Sequence, residues 1–160
     1  MRVWRIAVES PAYAADDLSG SGAKITGGRW NRKGNAMLYA SSSIALACLE
    51  TLVHLDPNGL PLNRYLVELR IPEPVWDARR ALNHASAPKD WNAVPAAMTS
   101  LEYGDQWLAA QSSAVMLVPA IVVPEEHNIL INPLHDQARL IKAIKLRKWT
   151  YDPRLKPPPA

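Results

Sequence analysis

The sequence predicts one domain in which short strands alternate with packed helices. Three observations point there. The 160 residues suit a single core of ordinary size. Residues 64–71 alternate apolar and polar side chains with the period of a half-buried strand. Serines 41 to 43 precede an apolar stretch with helical spacing, as an N-cap should.

Taken in order, residues 3–6 read as an opening strand, and a Ser- and Gly-rich loop follows over 16–28 with little to bury. That loop leads into GGRWNRKGN, so Arg29 stands between glycine and tryptophan just ahead of a short strand at 37–40. A helix is predicted from Ile44 to about Leu55, stopped by Asp56, Pro57, Asn58 and Gly59. A step of about 100° per residue spreads its apolar side chains over more than half the circumference. Ala47, Glu50, Thr51 and His54 then share one narrow stripe, which predicts a deeply embedded helix with a single polar seam.

After the strand at 64–71, Pro72 and Pro74 end the extended run. Residues 88–101 and 102–111 suggest one or two helices, with Pro95 as a break and Gly104 as a weak point. Residues 113–123 are nearly all apolar and form a buried strand, although Pro119 has no N–H for a ladder. A turn at 124–128, a strand at 129–131 and a strand or helix at 143–151 complete the domain, 1–151. The four-proline tail, 152–160, reads as extended and poorly ordered.

Composition narrows the function. Hydrophobic residues at 48% and charged residues at 21% argue against general disorder. A lone cysteine, Cys48, excludes an intramolecular disulfide and fits a reducing cytoplasm. The amino-terminal MRVWRIAVES is broken by charges and is no secretory h-region, and no stretch approaches the ~20 apolar residues of a spanning helix. Net charge is +3, yet basic residues are scattered apart from KAIKLRK at 142–148, which favours a small anionic ligand over a nucleic-acid track. His54, His84, His127 and His135 lack metal-ligand spacing, so no metal is expected.

No P-loop, GxGxxG, HExxH, GxSxG or paired CxxC is present. Individually the remaining candidates have plain explanations. Arg29 is a surface arginine, or a guanidinium fork that grips a phosphate bidentately with glycines allowing close approach. Glu50 faces solvent beside His54, or it borders a cleft where a rigidly held carboxylate stabilises developing positive charge. Tyr39 and Ser113 fit ordinary strand and turn roles.

Their order is more telling. GGRWNRKG, then LYASSSIALACLETLVHL, then GDQWLAAQSSAVMLVPAIVVPEEHNILINPLH together resemble the RES-domain family of bacterial toxins over nearly the whole chain. The resemblance maps the family's arginine, glutamate and serine to Arg29, Glu50 and Ser113, and its tyrosine to Tyr39. Ser112 competes with Ser113, and Ala120 stands after Val118-Pro119 where the family often has serine. The resemblance implies a compact α+β fold similar to ADP-ribosyltransferases, with small, mostly antiparallel sheets framing an NAD⁺ cleft. It implies a toxin that takes NAD⁺ as substrate, needs no metal, and cleaves the nicotinamide–ribose bond. The acceptor is left as a protein target, water or phosphate. Arg29 would hold the phosphate or ribose side, Tyr39 would pack beside nicotinamide, Glu50 would face the ribose and Ser113 would hydrogen-bond within the cleft. The implied partner is an Xre-type helix-turn-helix antitoxin, through which any DNA contact would pass. The alternative is a non-catalytic nucleotide- or protein-binding domain of the same fold.

Overall fold

The computed structural model describes residues 1–11, 13–53 and 62–155. The chain runs through β1 (Arg2–Val8), α1 (Ser21–Thr26), β2 (Leu38–Ser41), α2 (Ile44–Leu52), β3 (Arg64–Arg70), α3 (Glu73–Asp77), β4 (Arg80–Ala81), α4 (Met98–Ala110), β5 (Val115–Pro119), β6 (His127–Ile131) and β7 (Lys142–Lys148). The strands form one sheet in the order β4-β5-β6-β2-β1-β3-β7. Only the β4–β5 pairing is parallel among these strands. The α+β class is as expected, but the small sheets are joined into one.

That junction is thin. β1 and β3 pair over seven positions, whereas β1 meets β2 at the single register pair Trp4↔Ser41. One half-sheet, β4-β5-β6-β2, therefore joins the other, β1-β3-β7, at Ser41.

Alternation along each strand sorts side chains onto two faces. One face carries Val3, Val67, Leu69, Leu38, Ile129 and Ile131 into the largest apolar cluster. The opposite face is covered in two parts. Trp30, Trp91 and Trp107 pack with Met116, Val118 and Leu130 over the first half-sheet. Ala47 of α2 packs with Ile6, Leu66 and Tyr151 over the second. The boundary between these two covers falls over β2 and β6 and leaves a place for polar groups.

Local chemistry explains where elements begin and end. The Ser43 hydroxyl accepts from the Leu46 N–H at 3.0 Å and caps α2. Gln111, at φ 47, ends α4 in the left-handed region. β5 stops at Pro119, the last residue in register with β6, so the missing N–H falls at the ladder's end rather than inside it.

Several expectations need correction. The loop at 16–28 contains α1, and 72–81 contains α3 and β4, elements too short for periodicity to reveal. Helix forms only over Met98–Ala110, so 88–97 is not helical. The segment at 113–123 is extended only to Pro119, and β6 begins two residues earlier than the strand expected at 129–131. Within 143–151 the choice falls to a strand, β7. Residues 153–155 form a short 3-10 turn, and the rest of the tail lies outside the described residues. Helix α2 is not deeply embedded: Leu46 and Ala47 are its buried side chains, while Ala45, Leu49 and Val53 along one side are exposed. The predicted continuation through His54 and Leu55, the stop at 56–59 and a Glu50–His54 contact lie outside the described residues. Among the described residues, no helix is long and apolar enough to cross a membrane.

Candidate active site

Rotation by about 100° per residue puts Glu50 between Leu46 and Ala47, the two buried residues of α2. The sequence suggests a seam opposite the apolar face; instead the carboxylate belongs to the side that packs on the sheet. There its Oε1 accepts from Asn128 Nδ2 at 2.5 Å, and Asn128 Oδ1 accepts from Ser41 Oγ at 2.9 Å. Ser41 and Asn128 are register partners of β2 and β6. Glu50 is thus tied to the sheet where its two halves meet.

Tyr39 lies two residues before Ser41 and so on the same face of β2. Its hydroxyl accepts from the Trp30 N–H at 3.1 Å and donates to Asn31 Oδ1 at 2.6 Å. Asn31 is fully buried, and its Nδ2 donates to the carbonyls of Ala23 and Asn35, both at 2.9 Å. One side chain thereby binds α1, the glycine-flanked loop and β2 together. Burial pushes the Tyr39 phenol well above its ordinary ionisation range, outweighing the Trp30 hydrogen bond, so the group stays protonated.

Arg29 emerges from the loop that Tyr39 and Asn31 hold. Its Nη1 donates to the carbonyls of Trp91 at 2.9 Å and Ala93 at 2.7 Å. Among the described residues, its Nε and Nη2 make no hydrogen bond. Burial lowers the guanidinium's affinity for its proton, and the charges of Glu50 and Tyr39 oppose that effect.

The far side of the loop is clamped to α4. Asp105 accepts from the Arg32 N–H at 3.2 Å, Arg32 Nη1 at 2.5 Å and Asn35 Nδ2 at 2.7 Å. Burial raises the Asp105 carboxyl, but hydrogen bonds from Asn35 and Arg32 outweigh it and hold the group below its ordinary range. Gly104, one residue earlier, is buried where α4 crosses the loop, and a Cβ there would fall on the Trp30 carbonyl oxygen.

Ser113 makes its hydrogen bonds with none of these residues. It is buried, its hydroxyl accepts from Trp107 Nε1 at 3.0 Å and donates to the Val115 carbonyl at 3.0 Å. Val118 is the β5 residue in register with Asn128, five residues further on. β5 begins only at Val115, so Ser113 lies ahead of the strand that pairs with β6. Ser112 is exposed. Tyr39 thus holds the loop that carries Arg29, Glu50 bonds Asn128 of β6, and Ser113 bonds Trp107 of α4 and the Val115 carbonyl. Two open surface concavities, one beside Glu9 and Lys145 and the other beside His135 and Arg139, include none of the four.

Asn31, Ser41 and Asn128, which the sequence alone does not single out, hydrogen-bond the candidate residues or their supports. Asn in GGRWNRKG and in PEEHN resembles ordinary turn chemistry, and only strand register reveals that Asn128 faces Ser41. Among the described residues, no group of three or more His, Cys, Asp and Glu is placed to hold a metal ion.

The single mostly antiparallel sheet with its packed helices defines an α+β domain, with a loop arginine, a strand tyrosine and a helix glutamate as its candidate site residues. The RES domain family model matches residues 2–154, and the chain belongs to that family. It is 56% identical over 152 residues to the "Prs ADP-ribosylating toxin" of Sphingobium sp. (strain YBL2), covering 95% of this chain and 94% of that protein. It is also 36% identical to "Toxin Res" of Yersinia enterocolitica over 98% of this chain and 100% of that protein. A "Toxin Res" of Pseudomonas putida is likewise 36% identical over 97% and 99%.

Proposed function

We propose that this chain is the toxin of a toxin–antitoxin pair, and that it takes NAD⁺ as substrate and transfers its ADP-ribose to an acceptor. The observation that carries the reading is Glu50: a carboxylate on the buried side of α2, tied by Asn128 and within electrostatic range of Arg29. The shared family and the ADP-ribosylating name of the 56% identical relative support it.

The chemistry follows from charge. When the nicotinamide–ribose bond breaks, its electron pair moves to the pyridinium nitrogen, so nicotinamide departs neutral. Positive charge develops on the ribose. Glu50 would stabilise that oxocarbenium-like centre, as a fixed carboxylate does best in a site that need not reorganise. Arg29, anchored through Nη1, would present Nε and Nη2 to a phosphate oxygen. Tyr39, neutral and braced, would pack beside the nicotinamide. Ser113 would act from behind, through the Trp107 side chain it receives. The nucleophile then bonds to the ribose carbon and loses its proton.

A protein side chain is the acceptor we favour, on the name of the same relative. The catalytic unit would be 1–151, acting in the cytoplasm, and an Xre-type helix-turn-helix antitoxin would be its partner. Purified protein freed of antitoxin should release nicotinamide from NAD⁺, and Glu50→Gln should cut that release by about 10² or more while keeping the fold. Undiminished release by the variant would remove Glu50 from the reaction. Labelled NAD⁺ in whole lysate should mark a discrete protein band; label found only in small molecules would assign the acceptor to water or phosphate.

A further inference from the structure

Glu50 is a bare acceptor, and that fixes the polarity of everything behind it. A carboxylate cannot donate, so the Asn128 amide must turn Nδ2 toward Glu50 Oε1. Its Oδ1 then faces Ser41, whose hydroxyl must be the donor. Ser41 and Asn128 are held opposite each other by the β2–β6 register, and Ser41 is also the β2 residue paired with Trp4 of β1. Among the described residues, Glu50 Oε2 makes no hydrogen bond.

We propose that Asn128, braced by Ser41, is a positioning residue that holds Glu50 Oε1 and aims Oε2 at the reacting ribose. This rests on the assignment of Glu50 to NAD⁺ cleavage made above. The reason for an amide at this place is geometric. Glu50 ends three rotatable bonds on a helix whose outer side is exposed, and a carboxylate misplaced by about 1 Å loses on the order of 10² in rate. One short bond to a side chain rooted in the sheet removes most of that freedom.

The test is a double-mutant cycle on nicotinamide release by the full chain. Asn128→Ala should lower kcat by about 10–100-fold with KM for NAD⁺ changed less than about threefold. In the Glu50→Gln background the same change should cost little further, because its effect passes through Glu50. Ser41→Ala should show the same pattern more weakly. Asn128→Asp, which preserves shape but replaces the donor with a second carboxylate, serves if the alanine variant fails to fold, and should lose at least as much kcat. Equal losses in both backgrounds, or a wild-type kcat in Asn128→Ala or Asn128→Asp, would overturn the positioning role. A Glu50→Gln enzyme as fast as wild type would instead sink the reading beneath it.

Discussion

Gly28 packs so tightly against Tyr39 that a Cβ would lie 2.5 Å from the phenol oxygen, 2.8 Å from Cζ and 2.9 Å from Asn31 Oδ1. The ring cannot yield without breaking its bonds to the Trp30 N–H and to Asn31. Gly28→Ala should therefore cost about 1–3 kcal/mol in urea unfolding, as overpacking generally does. Gly22, in α1, is the control, because an added Cβ there would meet nothing within 4 Å. Gly22→Ala should be neutral or stabilise by up to about 1 kcal/mol. Equal effects at both sites would count against the close approach.

Gly104 makes the complementary contact. An alanine in the interior of α4 should gain about 1 kcal/mol of helix propensity. Here it meets the Trp30 carbonyl, a backbone atom that cannot rotate away. Gly104→Ala should lower the thermal midpoint or the soluble yield sharply, and a variant more stable than wild type would contradict the crossing of α4 over the loop.

Tyr39→Phe removes a donor from the buried Asn31 oxygen and an acceptor from the Trp30 N–H. An unpaired buried group costs about 1–3 kcal/mol. The pH dependence has a definite sign. Burial raises the folded phenol above its unfolded value, so its contribution is complete below about pH 10 and is lost as pH rises beyond that. Urea midpoints taken from pH 8 to 11 should show the gap between wild type and Tyr39→Phe narrowing. A gap that widens would reverse the assignment.

Asp105 behaves oppositely. Its folded value lies below the unfolded one, so its contribution is present at neutral pH and is lost as pH falls through the folded value. Asp105→Asn should be less stable than wild type at pH 7 by about 1 kcal/mol, a modest figure because Arg32 is partly exposed and solvent screens the pair. As pH falls through and below the ordinary carboxyl range the gap between the two proteins should narrow. A constant difference across that range would mean the carboxylate's charge is not what clamps the loop.

Strand pattern and helix capping make much of the scaffold legible: β3 shows its alternation, and Ser43 caps α2 as its position suggests. Burial around α2 is not legible in the same way, because helical periodicity reports which side chains are apolar, not whether anything packs on each of them. Ala45, Leu49 and Val53 are apolar and exposed, so the buried arc is narrower and is centred on Glu50 instead of opposite it. β7 is ambiguous in sequence for a related reason: as an edge strand carrying Lys142, Lys145, Arg147 and Lys148, it buries too little to display a period, and a bulge opposite Leu66 and Val67 interrupts what there is. Asn31 and Asn128 stay hidden because an asparagine that organises a site looks, in sequence, like one that makes a turn.

The proposed function gives Arg29 two duties that substitution can separate. Nη1 holds the carbonyls of Trp91 and Ala93, which fastens the non-helical segment ahead of α4, while among the described residues Nε and Nη2 make no hydrogen bond and in the proposed reading meet a phosphate. Arg29→Ala forfeits both, so it should lose nicotinamide release and also expose residues 88–97 to limited proteolysis. Arg29→Lys keeps the charge and can still reach a carbonyl, but an ammonium has no planar fork with which to hold the segment and a phosphate together. It should therefore protect the segment better than alanine does, yet raise KM for NAD⁺ by about tenfold, the worth of roughly one charge-assisted hydrogen bond. If lysine restores both KM and protection, the fork geometry is irrelevant and Arg29 acts only as a point charge.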